Sequence, residues 1–340
     1  MNLLITALSL FVIGLAHGSD ELYYIEPLSD MMIHHINEKL NTTWTAGRTK
    51  FYDWSMVSIK RQLGVPLDHI NQVTADLPIV NHLVDRDIPD EFDSRQAWPD
   101  CPTIKEVRDQ GNCGSCWAIS AVEAMSDRIC VATQGKLNRH LSTEDLLSCC
   151  KTCGFGCNGG YPAAAWEYFK RSGVCTGGNY KSNEGCKPYS IEDCEHHGSG
   201  QRPPCQGESK TPKCTKECSN SDYTVAYDND KSRGQSVYSV KSEQQIQLEL
   251  MKNGPVQTAF TVYEDFLSYT SGVYQHKKGN QLGGHAVKLI GWGVEDGVKY
   301  WLLANSWNYD WGLEGMFKVL RGKDECGIER NVVAGSINPV

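Results

Sequence analysis

Residues 109–120 read DQGNCGSCWAIS. Cys113 and Cys116 stand three apart, with Gly114 and Ser115 between them. That spacing alone fits three chemistries: a redox pair, half of a zinc site, or a structural cysteine beside a nucleophile. A redox pair would follow a strand, open a helix and sit in a chain with few other cysteines. A zinc site needs a second pair, and Cys149, Cys150, Cys153 and Cys157 are tempting partners. A nucleophile needs a base, a group that orients the base, and donors for an oxyanion.

Outward from this stretch the pattern is helical over 115–131, where Ala118, Val122, Met125 and Ile129 share one face. Cys116 then falls at a helix start, where the dipole and free N–H groups favour a thiolate. Residues 149–220 are rich in Gly, Pro, Cys and Ser and predict loops, with one helix over 162–173. The last third changes character: HAVKLIGWG, YWLLANSW and GMFKVL read as strands. A helical first part and a strand-rich second part predict an α+β protein with two lobes.

The 340 residues are 40% hydrophobic and 22% charged, an ordinary globular balance, with a formal net charge of -8. A nucleic-acid binder needs a basic face, so that class is excluded. Residues 3–15, LLITALSLFVIGL, are too short for a comfortable membrane span and precede the small residues Ala16 and Gly18. They predict a secretory signal peptide over 1–18. No later apolar stretch is long enough to span a membrane. Fifteen cysteines fit an oxidising compartment and a disulfide framework, and the odd count leaves at least one thiol unpaired.

None of these cysteines lies in 19–87, and VDRDIPDEFD at 84–93 reads as a junction. Two helix-like pieces precede it: SDMMIHHINEKL, capped by Ser29 or Asp30, and DWSMVSIKRQLG, with Asp53 before the apolar face and Gly64 after it. Segment 19–87 is a detachable pro-region or a small accessory domain. Its histidines His34, His35, His69 and His82 read as surface residues. The candidate base for Cys116 is His285 in GGHAVKLIGWG, and the candidate orienter is Asn305 in YWLLANSW.

Four stretches in this order, QGNCGSCWA, CNGGYP, GGHAVKLIGWG and NSWNYDWG, resemble the papain-like cysteine peptidases, and among them the cathepsin B group. The resemblance covers essentially all of the chain after the signal. It implies a two-lobed papain-like fold, with a helical lobe and a β-barrel-like lobe, in a mature domain over 88–340 behind an inhibitory propeptide over 19–87. It makes Cys116 the nucleophile, His285 its imidazolium partner and Asn305 the group that fixes the imidazole. Gln110, with the N–H of Cys116, becomes the oxyanion hole, and Trp307 a shield for the His285–Asn305 bond. Gly159 and Gly160 become the place where substrate backbone pairs with enzyme backbone. A disulfide oxidoreductase and a catalytically dead binding relative are the rival classes, and intact His285, Asn305 and Gln110 argue against both.

CEHHGSGQRPPC, at 194–205, resembles the group's occluding loop. His196 and His197 would receive a substrate's terminal carboxylate, which implies removal of C-terminal dipeptides. The loop would be anchored by His196 on Asp109 and Arg202 on Asp310. The first pair would raise the pKa of His196, so the clamp would hold in acid and be lost as pH rises through that pKa. The S2 pocket would comprise Tyr161, Pro162, Ala259, Ala286 and Asn331. Where the group often has Glu, Asn331 supplies no ion pair, so apolar or aromatic P2 residues are expected over Arg, with Glu329 off register and structural. Implied disulfides are Cys101–Cys130, Cys113–Cys157, Cys149–Cys214, Cys150–Cys153, Cys186–Cys218 and Cys194–Cys205, leaving Cys116, Cys175 and Cys326. Segment 41–52, NTTWTAGRTKFY, resembles the group's propeptide, which lies along the cleft in the non-productive direction. Asn41 starts a glycosylation sequon. Arg48, Lys50, Lys60 and Arg61 form either a sulfated-polysaccharide patch or a solvated helix face. Expected partners are protein and peptide substrates, the chain's own propeptide and cystatin-type inhibitors. No metal or other cofactor is expected. The expected location is the secretory pathway, ending in the lysosome or an extracellular or digestive lumen.

Overall fold

The computed structural model describes residues 24–85, 87–194, 202–203 and 209–337. The expected signal peptide, His196, His197 and Cys205 lie outside the described residues. The described helices are α1 (Asp30–His34), α2 (Met56–Gln62), α3 (Ser94–Ala97), α4 (Cys116–Ala132), α5 (Thr143–Cys149), α6 (Pro162–Arg171) and α7 (Glu243–Asn253). The described strands are β1 (Trp44–Ala46), β2 (Phe92–Asp93), β3 (Tyr238–Ser239), β4 (Val256–Tyr263), β5 (Tyr269–Tyr274), β6 (Gln281–Glu295), β7 (Val298–Ala304), β8 (Met316–Leu320) and β9 (Val333–Ala334). They form one sheet in the order β1-β5-β8-β7-β6-β4-β9-β3, with β2 paired to β6 at the side.

Helix α4 has no Gly or Pro and starts two residues after Gly114. Its predicted single apolar face is only part of the truth, because every residue from Cys116 to Cys130 is buried. The helix packs against β6 and β4 as well as α5 and α6. Its polar residues therefore need partners. Lys288 on β6 meets Asp127 at 2.9 Å, and Glu249 on α7 meets Arg128 at 2.5 Å. The first pair ties the helix that begins at Cys116 to the strand that carries His285.

The two largest apolar cores among the described residues both take in side chains of the pro-region. Met32, Ile36, Trp44, Phe51 and Ile59 share the strand-lobe core with Phe266, Trp307 and Phe317. Val65, Ile70 and Val73 share the helix-lobe core with Trp117, Ala259 and Ala286. Strand β1 also adds antiparallel to β5, which places pro-region backbone on one edge of the sheet. Full burial of Phe51 contributes roughly 1.5–3 kcal/mol.

Two expectations need correction. Helix α2 is capped by Ser55, whose side chain accepts from Ser58 N–H at 3.1 Å, and not by Asp53. A hydroxyl three residues before that N–H has the right reach, and Asp53 stands too far upstream. His82 is no surface residue: its side chain is 9% exposed, and its Nε2 lies 2.5 Å from Oε2 of the buried Glu249.

Five disulfides join Cys101–Cys130, Cys113–Cys157, Cys149–Cys214, Cys150–Cys153 and Cys186–Cys218. Cys194 is also disulfide-bonded. Cys113–Cys157, closing a separation of 44 residues, constrains the unfolded chain by about 4 kcal/mol in the chain-entropy account. Cys116, Cys175 and Cys326 are free.

Candidate active site

Cys113 is committed to Cys157, so Cys116 has no neighbouring thiol with which to form a redox pair. Ser115 precedes the helix but does not cap it; its hydroxyl lies 2.8 Å from that of Tyr189. The N–H groups of Cys116 and Trp117 are therefore available to favour a thiolate at Cys116, together with those of Ala286 and Gly64. Against them, complete burial pushes the Cys116 thiol up to about 11. Burial likewise lowers His285 to about 4, opposed by its bond to Asn305. In this closed form both groups are neutral at pH 7.

His285 Nε2 donates to Asn305 Oδ1 at 2.7 Å, and Ser306 N–H donates to the same oxygen at 2.8 Å. This leaves Nδ1 buried with no hydrogen-bond partner among the described residues, on the ring edge away from Asn305. The Trp307 ring stacks on the imidazole at 4.6 Å between centroids. Phe51 of the pro-region meets Trp307 edge-on at 4.8 Å, and Lys50 Nζ donates to the Trp307 carbonyl at 2.7 Å.

Gln110 is fully buried. Its Oε1 accepts from the Ser306 hydroxyl at 2.7 Å, which points Nε2 the other way. Nε2 donates to the Cys113 carbonyl at 2.8 Å and to the Gln62 carbonyl of the pro-region at 2.9 Å. The Gln110 carbonyl accepts from Tyr189 at 3.1 Å. Ser306 and Tyr189 were not singled out from the sequence, since a hydroxyl gains meaning only once the chain folds beside it.

The pro-region crosses this site as extended backbone. Gly64 N–H donates to Cys116 Sγ at 3.2 Å, and Gly64 C=O accepts from Gly160 N–H at 2.9 Å. Val65 exchanges two hydrogen bonds with Gly284, at 2.9 and 3.1 Å. A Cβ on Gly64 would lie 2.1 Å from the Gly114 carbonyl oxygen, so only glycine fits. Gly160 has the same constraint from the enzyme side, with the Trp117 ring 2.5 Å from where a Cβ would stand. Gly159, with φ +105°, faces the Gly64 carbonyl.

Val65 and Ile70 pack in one apolar cluster with Ala259 and Ala286, and His69 lies against Tyr161 at 4.5 Å between ring centroids. Pro162 opens α6. Asn331 is buried, and its Nδ2 donates to the carbonyls of Ala259 and Gly327, both at 3.1 Å. Glu329 accepts from Trp301 Nε1 at 2.9 Å and from Asp324 N–H at 3.1 Å, a structural use. Arg202 reaches Asp310 at 2.5 Å. The Asp109 carboxylate accepts from Gly111 N–H and Asn308 Nδ2. Among the proposed polysaccharide residues, Arg48 pairs with Asp30 at 2.5 Å, while Lys50 is engaged at Trp307.

Cys175, Cys186 and Asp230 lie within 4.8 Å of one another. Cys186 is in a disulfide with Cys218, so its sulfur offers no thiolate to a metal. Among the described residues, no helix is long and apolar enough to cross a membrane.

The family model "Papain family cysteine protease" matches residues 88–336, and "Peptidase family C1 propeptide" matches residues 28–69. The chain is 52% identical over 315 residues to the cathepsin B-like cysteine proteinase 6 of Caenorhabditis elegans, covering 90% of this chain and 82% of that one. It is 47% identical to the cathepsin B-like cysteine proteinase of Schistosoma japonicum, covering 92% of each. The solved proCathepsin B S9 from Trypanosoma congolense superposes with a TM-score of 0.79 at 36% identity, over 93% of this chain and 100% of that chain. A buried cysteine at a helix start, a histidine held by an asparagine, and a leading segment laid across both thus coincide with relatives that share nearly the whole length: the chain belongs to the papain family of cysteine proteases, as a cathepsin B-like proteinase with its propeptide attached.

Proposed function

We propose that the mature domain hydrolyses peptide bonds through an acyl-enzyme on Cys116, and that residues 19–87 keep it inactive until removed. The observation that carries this reading is the occupancy of the site. Backbone groups of Gln62, Gly64 and Val65 engage the Gln110 amide, the Cys116 sulfur, Gly160 and Gly284 at once. These are the groups a substrate would need. With the segment gone, water and polar substrate replace apolar cover, and the thiolate–imidazolium pair becomes accessible.

The Cys116 thiolate then adds to the scissile carbonyl, and the oxyanion takes hydrogen bonds from Gln110 Nε2 and Cys116 N–H. Imidazolium Nδ1–H protonates the leaving amine as the C–N bond breaks, giving a thioester. Neutral His285 next takes a proton from water, the hydroxide adds to the thioester, and the thiolate leaves with the peptide acid released. Asn305 holds the ring so that Nδ1 serves both steps. Cystatin-type inhibitors would cover the same cleft.

The enzyme acts both as an endopeptidase and as a carboxy-terminal dipeptidase, with His196 and His197 receiving the terminal carboxylate. The Arg202–Asp310 pair supports a loop fastened to the enzyme body. Arg202→Ala is expected to lower the ratio of dipeptide release to internal cleavage by up to about fivefold, the scale of a partly exposed ion pair. Matched substrates with free and amidated C-termini measure it, and an unchanged ratio counts against the loop reading. At S2, Asn331 favours apolar or aromatic P2 residues over Arg, since its side-chain amide carries no negative charge to pair with a guanidinium. The disulfide framework supports a secretory route to the lysosome or an extracellular lumen. Asn41 is exposed, as a glycan requires. A sulfated polysaccharide acting on the propeptide would have to compete with the contacts of Arg48 and Lys50.

A further inference from the structure

Residues 78–83 read PIVNHL, and the backbone of this stretch joins the sheet. Val80 N–H donates to the Ser239 carbonyl and Ser239 N–H to the Pro78 carbonyl, both at 2.9 Å, a parallel bridge between Ile79 and Ser239. Ser239 lies on β3, the edge opposite the one that β1 covers. The pro-region thus pairs with both edges of the sheet.

Two residues on, His82 turns into the protein. Its N–H lies 2.5 Å from Gln245 Oε1, and its carbonyl accepts from Gln245 Nε2 at 3.2 Å. Its Nε2 lies 2.5 Å from Glu249 Oε2. Glu249 is wholly buried, and its other oxygen already accepts from Arg128 Nη2, Tyr238 OH and Asn253 Nδ2. Loss of His82 would leave a buried carboxylate oxygen facing an opened notch, which is costly unless another donor enters. Immediately downstream, Leu83 and Val84 are exposed, at 88% and 57%. Further along, Ile88 packs against the strand-lobe core and the Pro89 carbonyl accepts from Trp292 Nε1 at 3.1 Å.

We propose that the β3 edge and the Gln245–Glu249 notch form a second binding site on the mature enzyme, separate from the cleft, for an extended segment ending in histidine. Residues 78–82 occupy it in the zymogen and hold the pro-region on the enzyme after a cut beyond Val84. The main-chain bonds to Ser239 give affinity to any extended segment, and the imidazole donor to Glu249 selects histidine. This rests on the reading that the pro-region is cut away downstream of His82.

The test uses processed enzyme and a capped synthetic peptide of residues 77–83, LPIVNHL. Calorimetry is expected to show saturable binding that persists after Cys116 is blocked with an epoxysuccinyl reagent. The His82→Ala peptide, which loses a hydrogen bond to a charged group, and the Gln245→Ala enzyme with the original peptide, which loses two neutral ones, should each bind at least about tenfold more weakly. In the full chain, His82→Ala should let the cut pro-region separate from the enzyme sooner on gel filtration. Absence of saturation, loss of binding on blocking Cys116, or equal retention by the two zymogens overturns the proposal. Turnover of a peptide substrate by the same processed enzyme is read separately: if it is missing, the peptidase reading fails while the binding isotherm still decides this site.

Discussion

Gly64→Ala is expected to release the enzyme from its own propeptide. The added Cβ would stand 2.1 Å from the Gly114 carbonyl oxygen and 3.1 Å from Cys116 Sγ. Both neighbours belong to the turn that Cys113–Cys157 fixes, so the strand must lift and the turn cannot yield. Lifting breaks the bonds from Gly64 to Cys116 and from Gly160 to Gly64, and strains the one from Gln110 to Gln62. At about 1 kcal/mol each, these losses weaken inhibition roughly 100-fold. The zymogen should process itself faster, and residual activity before processing should rise. The processed enzyme carries no residue 64, so its kcat/KM should equal that of wild type. An unchanged zymogen would mean that contacts elsewhere in the pro-region carry the inhibition.

Gln110→Ala should strike the processed enzyme itself. Its amide is held at Oε1 by Ser306, which leaves Nε2 preset beside the Cys113–Cys116 turn. Removing one such oxyanion donor costs about 10²–10³-fold in kcat, with little change in KM, because the bond matters in the transition state. A raised KM at unchanged kcat would recast Gln110 as a ground-state binding residue. The same variant in the full chain deprives the Gln62 carbonyl of its donor, so zymogen inhibition should weaken as well.

The elements that place the site were legible because they are local. Helix α4 follows from an apolar period uninterrupted by Gly or Pro, and β6, β7 and β8 from apolar runs broken by turns. Cys116, His285 and Asn305 could be proposed because their chemistry is uncommon and their neighbouring stretches resemble a family. What lay hidden is long-range. Gly64 read as a helix stop, yet its demand for no side chain comes from Gly114, fifty residues away in sequence (114 − 64). His82 read as surface because its partner Glu249 lies on a helix with no sequence sign that it would be buried. Glu123, Asp127 and Arg128 lie off the apolar face that the sequence pattern marks on α4, and the sheet and α7 packed behind the helix bury them. The Asn331 amide hydrogens turn to the carbonyls of Ala259 and Gly327, an orientation that residue type does not reveal.

A nucleophilic Cys116 that the pro-region silences by burial should react with a thiol reagent only when uncovered. The direct measurement is mass mapping of an epoxysuccinyl adduct on the intact and processed chains across pH. The processed enzyme should carry one adduct per molecule, at Cys116. Cys175 and Cys326 should stay unlabelled, because burial pushes both thiols well above the ordinary range. The intact chain should label slowly at neutral pH, where burial under the pro-region keeps both the Cys116 thiol and His285 uncharged. His285 is held at about 4 under cover against an ordinary 6.5, so the covered state loses stability relative to an open one as pH falls through that window. Labelling of the intact chain should therefore rise from about pH 6.5 towards 4. A reducible bridge between Cys113 and Cys116, an adduct elsewhere, or equal labelling of both chains at every pH would contradict the account.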